Sequence, residues 1–120
     1  MALAVDGLGG IWVGWREGVS FSPVKGVSWR AIDGLYLRNV DNIYYDARAD
    51  RMLITSDGKA TEAFAVQLPT MRLTKWDTGW NLRFLRPVGD YLIAATLFDG
   101  IVVQPKMVDS PLPAPDTARR

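Results

Sequence analysis

Apolar residues along the chain come in short runs with a repeat of two. The stretches GIWVGW, GVSFS, NIYYD, RMLITS, EAFAVQL, YLIAATLF and GIVVQP are rich in β-branched and aromatic side chains and are bounded by Gly, Asp, Ser or Pro. They predict strands. A helix would need apolar positions at i, i+3, i+4 and i+7 over an unbroken stretch, and 11 Gly with 7 Pro leave little room for one. The expectation is an all-β chain with almost no helix.

The strands recur at a fixed spacing. Gly18-Val19-Ser20-Phe21-Ser22-Pro23 and Gly100-Ile101-Val102-Val103-Gln104-Pro105 share the order Gly, apolar run, polar residue, Pro, and EAFAVQLP, ending at Pro69, supplies the copy between them. Trp12, Leu53 and Ile93, each inside a strand that opens into a turn, are spaced by 41 and 40 residues, and Asp6 and Asp46 by 40. Consecutive four-stranded antiparallel meanders of about 40 residues have the period of a propeller blade. The units cover about residues 2–31, 40–76 and 82–104, inside a repeat region of 1–108. The third unit shows only three strands, its fourth being missing or weakly formed by KMV. Residues 109–120, DSPLPAPDTARR, are Pro-rich without apolar periodicity and read as a disordered tail.

Residues 22–29, SPVKGVSW, resemble the Asp box of bacterial neuraminidase-type repeats, Ser-x-Asp-x-Gly-x-Thr-Trp, which lies between the third and fourth strands of a blade. Ser22, Gly26 and Trp29 match, Ser28 stands for Thr, and Val24 stands where that family has Asp. The stretch GGIWVGWREGVSFS is similar to propeller repeats of the sialidase-like, photosystem II assembly-factor-like and sensor kinds. The resemblance covers about residues 5–105 and implies about three blades of a β-propeller, an incomplete ring. Single-chain propellers close with about four to eight blades. The chain therefore looks like a carboxyl-terminal fragment of a larger propeller, and the expected partners are the remaining blades or further copies of itself.

Within that architecture individual residues acquire expected places. Gly14 and Ala95 fall where sheets converge, and Gly18 and Gly100 begin strands after tight turns that favour positive φ. Trp12, Trp29 and Trp76 are expected to pack between sheets, while Trp15 and Trp80 serve either packing or a ligand platform. In the propellers that the chain resembles, the fourth-to-first and second-to-third strand connections gather on one face. Here these are DGLYLRN, DTGWN, WRE, SDGKAT and LFD. They nominate Arg16, Tyr36, Arg38, Trp80, Asn81 and Asp99 as binding residues of one rim. Aromatic rings beside guanidinium groups suit a glycan or peptide ligand, above all one bearing a carboxylate.

Composition narrows the chemistry. At 120 residues with 48% hydrophobic content the chain has material for one ordered core. Fourteen Lys and Arg against 13 Asp and Glu, with no long run of either sign, give no footprint for nucleic acid. Without Cys or His there is no thiol nucleophile, no disulfide and no imidazole base or ligand. The aspartates lack the spacing of a calcium loop. Glu17 and Glu62 are the only glutamates, and three units do not supply the clamp, nucleophile and acid of a sialidase. No segment approaches the ~20 apolar residues of a membrane-spanning helix, so no membrane insertion is expected. The opening MALAVDGLGG is not a secretory signal, which at face value places the chain in the cytoplasm unless it ends a longer exported protein. The expectation is a non-catalytic binding or interaction module with no cofactor and no metal. The other readings are a piece of a carbohydrate-active or sialidase-like enzyme, and the sensing domain of a signalling protein.

Overall fold

The computed structural model describes residues 1–23, 28–32, 35–57, 61–89, 91–97 and 100–105. Among them the chain is all-β, with three antiparallel sheets that follow one another in sequence. The first sheet holds β1 (Ala2–Val5), β2 (Ile11–Trp15), β3 (Gly18–Ser22) and β4 (Arg30–Ala31). The second holds β5 (Val40–Asp46), β6 (Arg51–Ser56), β7 (Glu62–Gln67) and β8 (Arg72–Asp77). The third holds β9 (Leu82–Val88), β10 (Tyr91–Thr96) and β11 (Ile101–Pro105). Every strand pairs with its sequence neighbour, and the described residues form no closed ring.

The side-chain alternation of a strand decides how the sheets stack. In β2 the even positions Trp12 and Gly14 are buried with Val19 and Phe21 of β3, and this face meets the second sheet. The middle sheet then uses both faces. Met52 and Ile54 of β6, with Phe64 and Val66 of β7, join the cluster shared with the first sheet, whereas Leu53, Ala63 and Ala65 join Leu82, Leu85, Leu92 and Ala94 of the third. A strand buried on both sides loses the in-out rhythm and becomes a continuous apolar run. The period-two expectation therefore fails for β6 and β7, whose burial is unbroken over Met52–Ser56 and Ala63–Val66.

The stack is held closest at the first strands: β5 lies against β1 and β2, and β9 against β5 and β6. Gly14 sits in that close approach, where a Cβ would run into the Val40 side chain and come within 3.1 Å of Ile43. Gly18 and Gly100 have φ of 145° and 71°, the region that glycine enters without strain.

At one end of the stack the turns are braced by carboxylates. Asp6 Oδ1 accepts the backbone N–H of Leu8 and of Gly10 at 2.9 Å each, and its Oδ2 accepts Trp12 Nε1–H at 2.9 Å. One side chain thus shapes the β1–β2 turn and satisfies the indole that it buries. In the next unit Asp46 pairs with Arg51 Nε at 3.1 Å, and the Tyr45 hydroxyl donates to Asp50 at 2.8 Å.

Two expectations are corrected here. Trp29 does not wedge between sheets, since it is 47% exposed. β4 pairs with β3 through only Arg30 and Ala31, and the strand contacts between the first two sheets run mainly from β5 to β1 and β2, on the other side of β3 from β4. The fourth strand expected to complete the unit at 2–31 is, among the described residues, only the two residues Arg30 and Ala31. Val24 and Gly26 of the Asp-box-like stretch, the side chain of Trp76, the KMV segment and the tail lie outside the described residues.

Candidate functional site

The end of the stack opposite Asp6 gathers the β2–β3, β4–β5, β6–β7, β8–β9 and β10–β11 connections. An antiparallel meander sends alternate turns to opposite ends, so this grouping follows from the strand order alone. Backbone bonds tie the connections together. Asn39 N–H donates to Arg16 O at 2.9 Å, and Asp57 N–H to Asn39 O at 3.0 Å. One unit later Leu97 N–H donates to Asn81 O at 2.8 Å. The bonds from Asp57 to Asn39 and from Leu97 to Asn81 are one contact made twice. Arg16, Asp57 and Leu97 are spaced by 41 and 40 residues, the same interval as Trp12, Leu53 and Ile93.

The rim brings two of the nominated side chains into one place. Arg16 and Arg38 line a cleft of about 490 Å³ with Glu17 and Asn39. Arg16 follows β2 directly, and Arg38 is set by the short connection into β5. Asn39 holds φ at 50°, a left-handed conformation for which Asn is one of the few tolerant side chains. The Ser56 hydroxyl donates to Arg38 O, which fixes the Arg38 backbone from the second sheet. Both arginines are exposed, and neither guanidinium makes an ion pair among the described residues.

The other nominated residues fall elsewhere. Tyr36 is 85% exposed on the same connection as Arg38. Trp80 is half-buried against the cluster of the second and third sheets, and its backbone N–H donates to Thr78 Oγ1 at 3.1 Å. That ring contributes packing. Asn81 takes its place through its backbone carbonyl, and Asp99 lies outside the described residues.

Beside the cleft a small charge network was not anticipated from spacing. Arg83 approaches Asp41 at 3.8 Å and Asp57 at 3.7 Å. Burial raises the Asp41 carboxyl above its ordinary pKa, against the opposing pull of Arg83. Its Oδ2 is buried without a hydrogen-bond partner among the described residues. At the braced end a second cleft, of about 280 Å³, runs past Leu8, Phe21, Pro23 and Met71. Its carboxylates are already engaged, Asp6 by its own turn and Asp50 by Tyr45.

Among the described residues no three acidic side chains converge into a metal site, and no helix is long and apolar enough to cross a membrane. Compared with protein-family models, with curated proteins and with solved structures, the chain matches none.

Proposed function

We propose that the chain is a run of three propeller blades acting as a non-catalytic binding module, whose rim takes a carboxylate-bearing glycan or peptide. The observation that carries this reading is the meeting of Arg16 and Arg38, 22 residues apart in sequence, in one cleft. A guanidinium presents a planar fork of donors that matches a carboxylate, and two such groups in one cleft, neither in an ion pair among the described residues, favour an anion of that shape. The blade reading is supported by three sequential meanders, by stacking through their first strands and by the repeated rim contact at Asn39 and Asn81.

The test is titration with a sialylated oligosaccharide and, separately, a short acidic peptide. Arg16→Ala/Arg38→Ala is expected to weaken binding of the preferred ligand by at least about tenfold, or ~1.4 kcal/mol, with unchanged circular dichroism. Arg38→Lys keeps the charge without the fork and should recover only part of the affinity. Binding that survives the double substitution would contradict the assignment, as would a failure of both probes to bind the native protein.

A further inference from the structure

The two ends of the stack present apolar sheet faces that no described residue covers. On the first sheet, Leu3 pairs with Val13 and Val5 with Ile11, all four on the face turned away from the second sheet. Leu3 is 68% exposed there, and Trp15 extends the same face. On the third sheet the uncovered face carries Phe84, Ile93, Ile101 and Val103, with Ile101 66% exposed. Arg86, opposite Ile93 in the pairing, is drawn onto the Tyr44 ring with its guanidinium 4.4 Å from the centroid. The same guanidinium is 5.4 Å from the Phe84 centroid, so the third sheet's face is apolar apart from this one cation on its edge strand, and Leu3, Val5, Ile11, Val13 and Trp15 carry no charge.

The repeat says what fits them. Trp12, Leu53 and Ile93 are equivalent positions, and the first two each point at the following sheet. Ile93 points the same way, to the side on which the described residues form no further sheet. Val13, Ile54 and Ala94 are likewise equivalent; Ile54 and Ala94 point at the preceding sheet, and Val13 points to the side on which the described residues place no sheet. The uncovered faces therefore continue the two interfaces already formed inside the chain, one as the forward half and the other as the backward half.

We propose that a second copy of this chain docks head to tail, its first sheet stacking on the third sheet of its partner. Each copy carries one face of each kind, so two copies make two identical contacts and close a ring of six sheets. Such heterologous contacts give closed rings when their rotation completes a circle, and six lies within the range of blade numbers that close. The contact rests on the stacking observed within the chain; the count of six rests on the blade reading proposed above. Neither depends on the ligand at the rim.

Inside the chain β9 lies against β5 and β6, so in the dimer β1 of one copy lies against β9 and β10 of the other. Leu3 and Phe84 are then neighbours across the junction. The chain has no cysteine of its own, which makes single introduced thiols unambiguous. Leu3→Cys protein mixed with Phe84→Cys protein and a short flexible bismaleimide is expected to yield a cross-linked pair, while each variant alone gives little. Both positions are exposed in the single chain, and thermal melts confirm that the variants are folded. Sedimentation of the native protein at micromolar concentration should give twice the chain mass, and Leu3→Asp should weaken the dimer by at least about tenfold. A folded monomer at every concentration would overturn the proposal and leave these faces to another occupant, such as further blades. Cross-linking of Leu3→Cys with itself as efficient as with Phe84→Cys would overturn the head-to-tail contact. Growth into an open polymer would overturn the ring and the count of six, leaving the rim assignment to its own titration.

Discussion

Trp12→Ala is expected to lower the free energy of unfolding by about 3–5 kcal/mol. Trp12 is fully buried at the junction of the first two sheets, with its ring centroid 4.6 Å from that of Phe21. Truncation empties the largest buried side-chain volume in that cluster, and neighbouring strands held by sheet hydrogen bonds relax only partly into the space. It also removes the indole donor from Asp6, although that carboxylate keeps its two backbone partners. Trp12→Phe separates the two effects: it retains an aromatic ring and should cost about 1–2 kcal/mol. Chemical denaturation of the three proteins checks both values. A loss below about 1 kcal/mol for Trp12→Ala would contradict the placement of this side chain at the centre of the stack.

Arg51→Ala should cost a comparable amount, about 3–5 kcal/mol, for an electrostatic reason. The Asp46 side chain is only 3% exposed and its Oδ2 lies 3.1 Å from Arg51 Nε. Removing the guanidinium strands a carboxylate in a site with little water to solvate it. Removing both members leaves no buried charge, so Asp46→Ala/Arg51→Ala is expected to be less destabilised than the sum of the two single changes. A double-mutant cycle measures this coupling. Single substitutions that are nearly neutral and strictly additive would show that the pair is solvated.

The strands were legible because turn residues punctuate them sharply. Tyr91–Thr96 follows Gly89, and Gly18–Ser22 is closed by Pro23, so composition and boundary signals agree. The interval between Trp12, Leu53 and Ile93 carried more than a repeat length. It set equivalent side chains on the same face of successive sheets, which determines the direction of stacking. What was not legible was lateral position. SPVKGVSW places Trp29 beside a fourth strand but does not say how far the next sheet extends over it, and Trp29 is left exposed although Phe21 of β3 and Ile32 are buried in the shared cluster. The middle sheet posed a similar problem. RMLITS and EAFAVQ lack alternation because sheets lie on both sides, a fact about neighbours rather than about local pattern.

The rim shows the same division. Strand order alone sends Arg16 and Arg38 to one end, so their meeting was within reach of the sequence. Asn39 was missed as a cleft residue, although a signal existed: Asn39-Val40 and Asn81-Leu82 open the first strands of successive units with the same pair of roles. Val40 and Leu82 are buried, and the two Asn carbonyls accept equivalent backbone bonds. Trp80 looked suited to a ligand because its neighbours are Gly and Asn. The half-buried ring against the second core cluster reflects long-range packing that these neighbours do not encode.

The central claim is that three successive sheets stack in one direction, with adjacent residues of β6 facing different neighbours. Methyl nuclear Overhauser spectroscopy on the folded protein tests it most directly. Leu53 methyls should show cross-peaks to Leu85, Leu92 or Ala94, and the Ile54 δ-methyl should show them to Phe64, Val66 or the Trp12 ring. Leu53 and Ile54 sharing one set of neighbours, or Leu53 showing no contact with the third sheet, would contradict the stack.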